Sequence, residues 1–189
     1  MHPLPARVPV CLVTGASGPV RHDFIRALAA ARPADERWAL LNNDAGNSAH
    51  DLANARLAVA ASIGCACCTG QVALQAGIVR LIRQSRPQRL IIAADGAAEP
   101  AALERALRQA PLARGIVVTH RLCVAASQLP DALPQSAQEL LQRQMAAADH
   151  VVCGNAAAAA ALSTACGAQH AISVAEAIRL VLASPALSA

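Results

Sequence analysis

Short apolar runs alternate with longer helical stretches along this chain, and no other feature constrains its fold as strongly. A strand that is repeatedly followed by a helix needs crossover connections, which make neighbouring strands parallel and cover both faces of the sheet. The runs that predict strands are Val8 to Thr14, Trp38 to Leu41, Leu57 to Ala60, Leu90 to Ala93, Ile116 to Thr119 and Val151 to Cys153. We therefore expect a single α/β domain over residues 1–189, with three layers and a mostly parallel sheet.

Three segments carry helix signals. A helix near residues 101–109 would have Pro100 in its first turn, and the six-alanine run at 156–161 follows Asn155, which suits an N-cap position. Another helix is predicted after residue 70 by one apolar face, formed by Leu74, Ile78, Leu81 and Ile82.

Composition excludes several classes of function. The net charge is +4, and the scattered arginines form no basic stripe with aromatic residues, so we expect no nucleic-acid partner. The apolar run that stops at Gly15 is too short for a signal peptide or a membrane span, which predicts a cytoplasmic protein without a membrane partner. In a reducing compartment, the isolated cysteines are expected to be core residues; these are Cys11, Cys123, Cys153 and Cys166.

A glycine-containing turn follows the first predicted strand, at the point where a Walker A phosphate loop would lie. In the motif GxxxxGKS/T, backbone N–H groups hold phosphates, the lysine reaches the β and γ phosphates, and the hydroxyl binds magnesium. This chain keeps Gly15 and also has Gly18, but it carries Val20, Arg21 and His22 at the positions of the second glycine, the lysine and the hydroxyl residue.

These replacements remove working parts of a nucleotide site. Val20 resists positive φ, Pro19 lacks an N–H donor, and His22 prefers softer metals than magnesium. Arg21 retains a charge that can attract an anion. On these residues alone, a plain strand-to-helix turn is favoured over a working nucleotide site.

A second motif places three thiols within four positions. Cys65, Cys67 and Cys68 lie in the segment Ile63-Gly64-Cys65-Ala66-Cys67-Cys68-Thr69-Gly70, between a predicted strand and a predicted helix. A helix N-terminus lowers thiol pKa values and favours metal capture, and thiolates select soft ions such as Zn(II) or Cu(I). The alternatives are buried cysteines without a role, or a disulfide from Cys65 to Cys67 or Cys68 under oxidation.

A Thr-Gly loop after the first strand, followed about fifty residues later by GCACCT, resembles the CobW-type metallochaperone GTPases, relatives of the HypB and UreG nickel-maturation proteins. This resemblance implies a P-loop NTPase-like fold. The family's NEFGxxxxD segment corresponds here to Asn43-Asp44-Ala45-Gly46 with Asp51 following, and the resemblance extends from Val8 to about Leu182. It ends where such proteins continue into a separate C-terminal domain.

Two further family motifs have lost their working residues. The Walker B glutamate of ExSGxADP corresponds to Ala93, and the guanine-reading Asn and Asp of NKxD are absent near Ala156 and Ala157. The resemblance therefore implies the fold and the thiol loop, and we expect no GTPase activity and no bound GTP or magnesium. Gly15, Gly18 and Arg21 would form a vestigial phosphate loop.

The leading hypothesis is a non-hydrolysing metal-binding protein, a metallochaperone or metal-homeostasis factor that holds zinc or another soft ion through Cys65, Cys67 and Cys68. Further ligands implied by the family's switch loop and magnesium position are Asp44, His50, Asp51 and His22. Two alternatives stay open: a pseudo-GTPase that pairs with an active CobW-type partner or a client metalloprotein, and a residual weak GTP-binding protein. The metal, the client, a redox use of the cysteines and the oligomeric state are left undetermined.

Overall fold

Seven strands form one sheet in which every strand pair is parallel, in the order β3-β2-β4-β1-β5-β6-β7. The computed structural model describes residues 7–43, 52–54, 56–61, 71–109, 112–126, 134–166 and 170–186. The strands are β1 (Val8–Thr14), β2 (Trp38–Asn42), β3 (Leu57–Ala61), β4 (Arg89–Ala93), β5 (Ile116–Val124), β6 (His150–Cys153) and β7 (Ala171–Ser173).

Helices connect consecutive strands along most of the chain. They are α1 (Gly18–Ala30), α2 (Gln71–Ser85), α3 (Pro100–Arg108), α4 (Leu112–Gly115), α5 (Gln135–Ala146), α6 (Ala156–Cys166) and α7 (Val174–Ala183). Within the described parts of the chain, no helix is both long enough and apolar enough to cross a membrane.

Each face of the sheet has its own apolar core. On one face, α2 and α3 pack against side chains of β1, β2 and β4, with Ile78 and Leu107 fully or almost fully buried. On the other face, α1 and α7 pack against alternate residues of the same strands, and Phe24 and Val181 are buried there. The predicted three-layer α/β fold with a parallel sheet is therefore confirmed.

The predicted elements are present, and several extend further than predicted. Strand β5 continues five residues past Thr119, to Val124, and β7 was not predicted. The predicted helix signals are confirmed: α3 begins at Pro100, and the side-chain oxygen of Asn155 accepts a hydrogen bond from the N–H of Ala158 at 2.8 Å, as an N-cap does.

The predicted roles of the isolated cysteines are largely confirmed. Cys11, Cys123 and Cys153 are buried free thiols within the strands. The side chain of Cys166 lies outside the described residues.

Candidate functional site

The segments that carry the candidate site residues begin at the carboxyl ends of the strands. Asn42 at the end of β2 lies level with Ala61 at the end of β3 and with Ala93 at the end of β4. Val13, near the end of β1, pairs with Ala93. In open parallel sheets ligands bind outside this edge, so the segments that carry the sequence motifs begin where a site is expected.

The turn after β1 is shaped by Gly15. Its φ is +133°, a conformation that residues with a side chain rarely adopt, and a Cβ at this position would overlap the carbonyl oxygen of Val124 in β5. Gly18 is the first residue of α1, which has proline in its first turn and a Ser17 N-cap without a side-chain hydrogen bond. The two glycines therefore bracket a tight strand-to-helix turn in the Walker A position.

Arg21, at the Walker A lysine position, turns into the loop. Its side chain is only 2% exposed, and its Nη1 donates a hydrogen bond to the carbonyl oxygen of Gly15. The same guanidinium lies beside Gly96, because Nη1 would be 3.2 Å from a Cβ built on that glycine. The positive charge therefore faces the loop's own backbone, with little of it presented to solvent.

His22, at the hydroxyl position of the motif, is half-buried and interacts with Arg26. Their Nε2 and Nη2 atoms are 3.0 Å apart. A guanidinium can only donate, so Nε2 of His22 accepts this hydrogen bond. A metal ion at Nε2 would have to displace Arg26 first.

The loop after β4 is held by α5. Ala93 at the Walker B glutamate position is buried, and its carbonyl oxygen accepts from the N–H of Asn43 at 2.8 Å. The buried amide of Gln144 donates to the carbonyl oxygens of Gly96 and Ala98 at 3.1 and 3.0 Å. Arg143 of α5 adds an ion pair with Glu99 at 3.2 Å.

Gln144 was not singled out in the sequence, although it links α5 to the loop beside Arg21. It lies among apolar positions of an amphipathic helix and belongs to no motif, so no local signal distinguishes it from a surface glutamine. Only the packing of α5 over residues 96–98 gives it this role.

Burial raises the pKa values of the thiols inside the sheet. The pKa of Cys11 rises to about 12 because its environment excludes water, and that of Cys123 rises to about 11 for the same reason, partly offset by Thr14 and Arg21. Burial also raises the pKa of Cys153. These groups stay protonated at neutral pH, so they are poor metal ligands.

The predicted metal ligands other than His22 lie outside the described residues. Cys65, Cys67 and Cys68 belong to segment 62–70, and Asp44, His50 and Asp51 belong to segment 44–51. Among the residues that the structure does describe, no three His, Cys, Asp or Glu side chains are close enough together to hold one metal ion. The thiol-loop site therefore stays a prediction, although the strand ends that flank both segments are described.

Comparisons with known proteins agree with this architecture. The chain is 30% identical over 147 residues to the zinc chaperone YeiR of Escherichia coli (strain K12), covering 75% of this chain and 44% of that protein. The chain thus spans less than half the length of this curated relative.

Two solved structures have a fold similar to that of this chain, at low sequence identity. The Zn(II)-bound YjiA GTPase from E. coli matches with a TM-score of 0.55 and 16% identity, covering 92% of this chain and 54% of that one. A Zn(II)-bound triple mutant of the same GTPase matches with a TM-score of 0.52 and 15% identity, covering 87% of this chain and 52% of that one.

The family profile described as the CobW/HypB/UreG nucleotide-binding domain matches residues 9–174, which is most of the chain. Its limits run from β1 to the start of α7, so the match includes every strand of the sheet. The chain therefore belongs to the CobW/HypB/UreG family.

Proposed function

We propose that this protein binds a soft metal ion as cargo, most specifically zinc, through Cys65, Cys67 and Cys68, and that it works as a metallochaperone or metal-homeostasis factor without hydrolysing GTP. The observation that carries the proposal is the register of β2 with β3. Asn42 and Ala61 are level, so segments 44–51 and 62–70 leave adjacent strands at one edge. Strands in a sheet are about 4.8 Å apart, which suits ligands converging from both segments.

Three thiolates from a short loop leave one position of a tetrahedral zinc site open. Asp44, His50 and Asp51 are the candidates for it because they follow the neighbouring strand. His22 is a weaker candidate because its Nε2 already interacts with Arg26. An exchangeable fourth position suits an ion that is handed on to another protein.

The relatives support zinc as the cargo. One of them is named a zinc chaperone, and the similar GTPase was solved with Zn(II) bound. The chain spans 44% of the former and 54% of the latter, so metal transfer to a client and a cytoplasmic location are part of the proposal.

Absence of GTP hydrolysis is supported by the phosphate loop. Arg21 points into the turn, where it bonds to the loop's carbonyl, and Ala93 lacks the carboxylate that would act near magnesium. Losing several transition-state contacts lowers turnover multiplicatively. We expect calorimetry to detect no micromolar affinity for magnesium-GTP, and turnover that depended on magnesium would contradict this part of the proposal.

Zinc competition tests the thiol loop. The reduced protein and the triple variant Cys65→Ser, Cys67→Ser, Cys68→Ser compete with a chromophoric chelator for zinc, and we expect the triple variant to lose at least about a hundredfold in affinity. Affinity should also fall as the pH drops, with protons released on binding, because ligating thiols must be deprotonated.

The matched control removes a buried thiol outside the loop. Cys11→Val should keep the zinc affinity of the native chain, since Cys11 is buried in β1 and protonated at neutral pH. If the triple variant holds zinc as tightly as the native chain, the thiol loop is not the site and the proposed function is wrong.

A pseudo-GTPase that acts by protein interaction is the second candidate. The observation in its favour is that α5 holds the loop after β4 through Gln144 and Arg143, where a cycling GTPase needs a mobile switch. This candidate predicts that the triple cysteine variant still captures a client or a CobW-type partner. The first candidate predicts that zinc delivery to the client is lost together with zinc binding.

A further inference from the structure

We infer that the first half of β5, with α3 beside it, is a docking site for an extended acidic segment of a partner protein, which would add to the sheet as an extra strand. This inference goes beyond the proposed metal function, because the surface lies at the far end of β5 from the phosphate loop. The nine-residue strand is about 26 Å long on the strand rise of about 3.3 Å per residue, and its other end, Val124, contacts Gly15.

The first observation is that the ladder of hydrogen bonds between β5 and β6 covers only part of β5. Strand β5 pairs with β1 from Ile116 to Cys123, but its pairing with β6 begins only at Leu122. Just before that point, the backbone of Arg121 makes two hydrogen bonds to Asp149. The N–H of Asp149 donates to the carbonyl oxygen of Arg121 at 2.8 Å, and the N–H of Arg121 donates to the Asp149 carboxylate at 2.7 Å. Across the described residues, positions 116–120 thus have a strand partner on the β1 side alone.

Exposure within this stretch fits an open edge. Val117 is 38% exposed, which makes it one of the few large apolar side chains at the surface in the described parts of the chain, and Thr119 is exposed as well. Ile116 and Val118, whose side chains alternate with these, pack into the core beneath α3. An exposed strand edge with an apolar residue is a template for strand addition.

A groove of about 270 Å³ runs beside this edge. Its walls are the α3 side chains Glu104, Leu107 and Arg108 and the first residues of β5, with Arg7 at the end that precedes β1. The groove therefore combines a backbone edge, apolar side chains and ionic groups, which is the arrangement that peptide-binding edges use for affinity and specificity.

The charge of the groove selects an acidic occupant. Arg7, Arg108 and Arg121 line it together with Glu104, so the lining is net positive by two charges. Glu104 already pairs with Arg121 and with Arg108, the latter at 2.9 Å, yet Arg108 keeps 73% of its side chain exposed. Arg7 is also exposed. Carboxylates spaced two residues apart on an added strand would face the arginines, while the alternate residues would face Val117.

A second copy of this chain fits the edge poorly. A second copy would present the same net positive lining, and like charges placed close together oppose association. The proposed occupant is therefore a segment of another protein with alternating acidic and apolar residues.

The test uses an octapeptide of alternating glutamate and valine as the probe, with the lysine–valine octapeptide as its charge control. We expect calorimetry at low ionic strength to detect binding of the acidic peptide alone, with affinity that weakens as salt is added. Amide hydrogen exchange of the full chain should show new protection within residues 117–120. Protection at β3 or β7, the terminal strands of the sheet, would contradict the assignment.

Charge-neutralising variants make the test specific. The double variant Arg7→Gln, Arg108→Gln should lose at least about tenfold in affinity for the acidic peptide. The matched control Arg80→Gln, Arg83→Gln removes the same charge from exposed positions of α2 and should bind as the native chain does. Equal losses in both variants would mean that the effect comes from net charge alone and would overturn the proposal. Sedimentation showing that the chain protects residues 117–120 by self-association would overturn it too.

The zinc competition described above distinguishes this inference from the metal function. The double variant Arg7→Gln, Arg108→Gln should keep its zinc affinity because both arginines line the groove at the start of β5, whereas segment 62–70 follows the end of β3. The triple cysteine variant should keep its peptide affinity. Each proposal can thus fail without the other.

Discussion

Gly15 shows how one residue permits the turn on which the candidate nucleotide site is built. Its φ of +133° and the nearby Val124 carbonyl both exclude a side chain. We expect Gly15→Ala to lower the free energy of unfolding by at least about 2 kcal/mol, since strain of about 1–3 kcal/mol adds to a steric overlap. Denaturant unfolding measures this change.

Gly115 supplies the matched control for that substitution. A Cβ at Gly115 meets no atom within 4 Å, and its φ is not in the positive region. Gly115→Ala should therefore change the free energy of unfolding by less than about 1 kcal/mol. Equal effects of the two substitutions would show that the turn tolerates a side chain.

The burial of Cys11 predicts that the free energy of unfolding falls at alkaline pH. Its pKa is about 12 in the folded protein, against an ordinary value of 9.0, so the folded state favours the protonated thiol. The corresponding stabilisation is complete below pH 9 and is lost as the pH rises from 9 towards 12, because the unfolded chain then releases the proton first. The expected slope is about 1.4 kcal/mol per pH unit for this one group.

The composition allows the titration of Cys11 to be observed with little interference from other side chains. The chain has no lysine and no tyrosine, so the cysteines are the only side chains that ordinarily titrate between pH 9 and 12. Cys11→Val should reduce the slope of the free energy of unfolding against pH in this range, and the slope that remains comes from Cys123 and Cys153, whose pKa values burial also raises. An unchanged slope in Cys11→Val would contradict the burial of this thiol.

At the scale of elements, the helix starts differ in how they are capped. Helix α7 has a capping box: the N–H of Glu176 donates to the Ser173 hydroxyl at 3.3 Å, and the Glu176 carboxylate accepts from the N–H of Ser173 at 2.8 Å. The hydrogen bond from the Ser173 N–H to the carboxylate, and a second one from the Ser173 hydroxyl, lower the pKa of Glu176. We expect Ser173→Ala to cost about 1 kcal/mol of stability, measured by thermal or denaturant unfolding.

Ser17 is the control for this cap. It holds the N-cap position of α1 but makes no side-chain cap hydrogen bond. Ser17→Ala should therefore be nearly neutral, while Ser173→Thr should retain most of the stability because its hydroxyl can still accept. A loss on Ser17→Ala as large as on Ser173→Ala would mean that helix capping is not what Ser173 supplies.

For the whole molecule, we expect the core to fold without zinc. The described members of the apolar clusters on both faces of the sheet come mainly from its strands and helices. We expect chelation of zinc to leave a cooperative thermal transition, with zinc raising the Tm by mass action alone. A chelated protein without a cooperative transition by circular dichroism would instead indicate a structural metal site, as in zinc fingers.

What the sequence determined by itself is local. Apolar periodicity separated strands from helices, and Gly15, Pro100 and Asn155 marked a turn, a helix start and a helix cap, because each of these depends on a few neighbouring residues. The same local reasoning ended β5 too early at Thr119. His120 and Arg121 look unsuited to a strand, and only tertiary partners, Ser184 for the histidine and Glu104 and Asp149 for the arginine, satisfy them there.

Only the tertiary structure decided which segments meet. Strand order, the inward turn of Arg21 towards Gly15 and Gly96, and the reach of Gln144 across to the loop after β4 all depend on residues distant in sequence. The same is true of the half of β5 that has no strand partner on the β6 side among the described residues. Such contacts arise from packing and from the need to pair buried polar groups, and neither leaves a short-range pattern in the chain. The thiol loop was recognised from sequence because three cysteines within four positions carry their chemistry locally. The surface beside β5 became visible only when β1, β6 and α3 were in place.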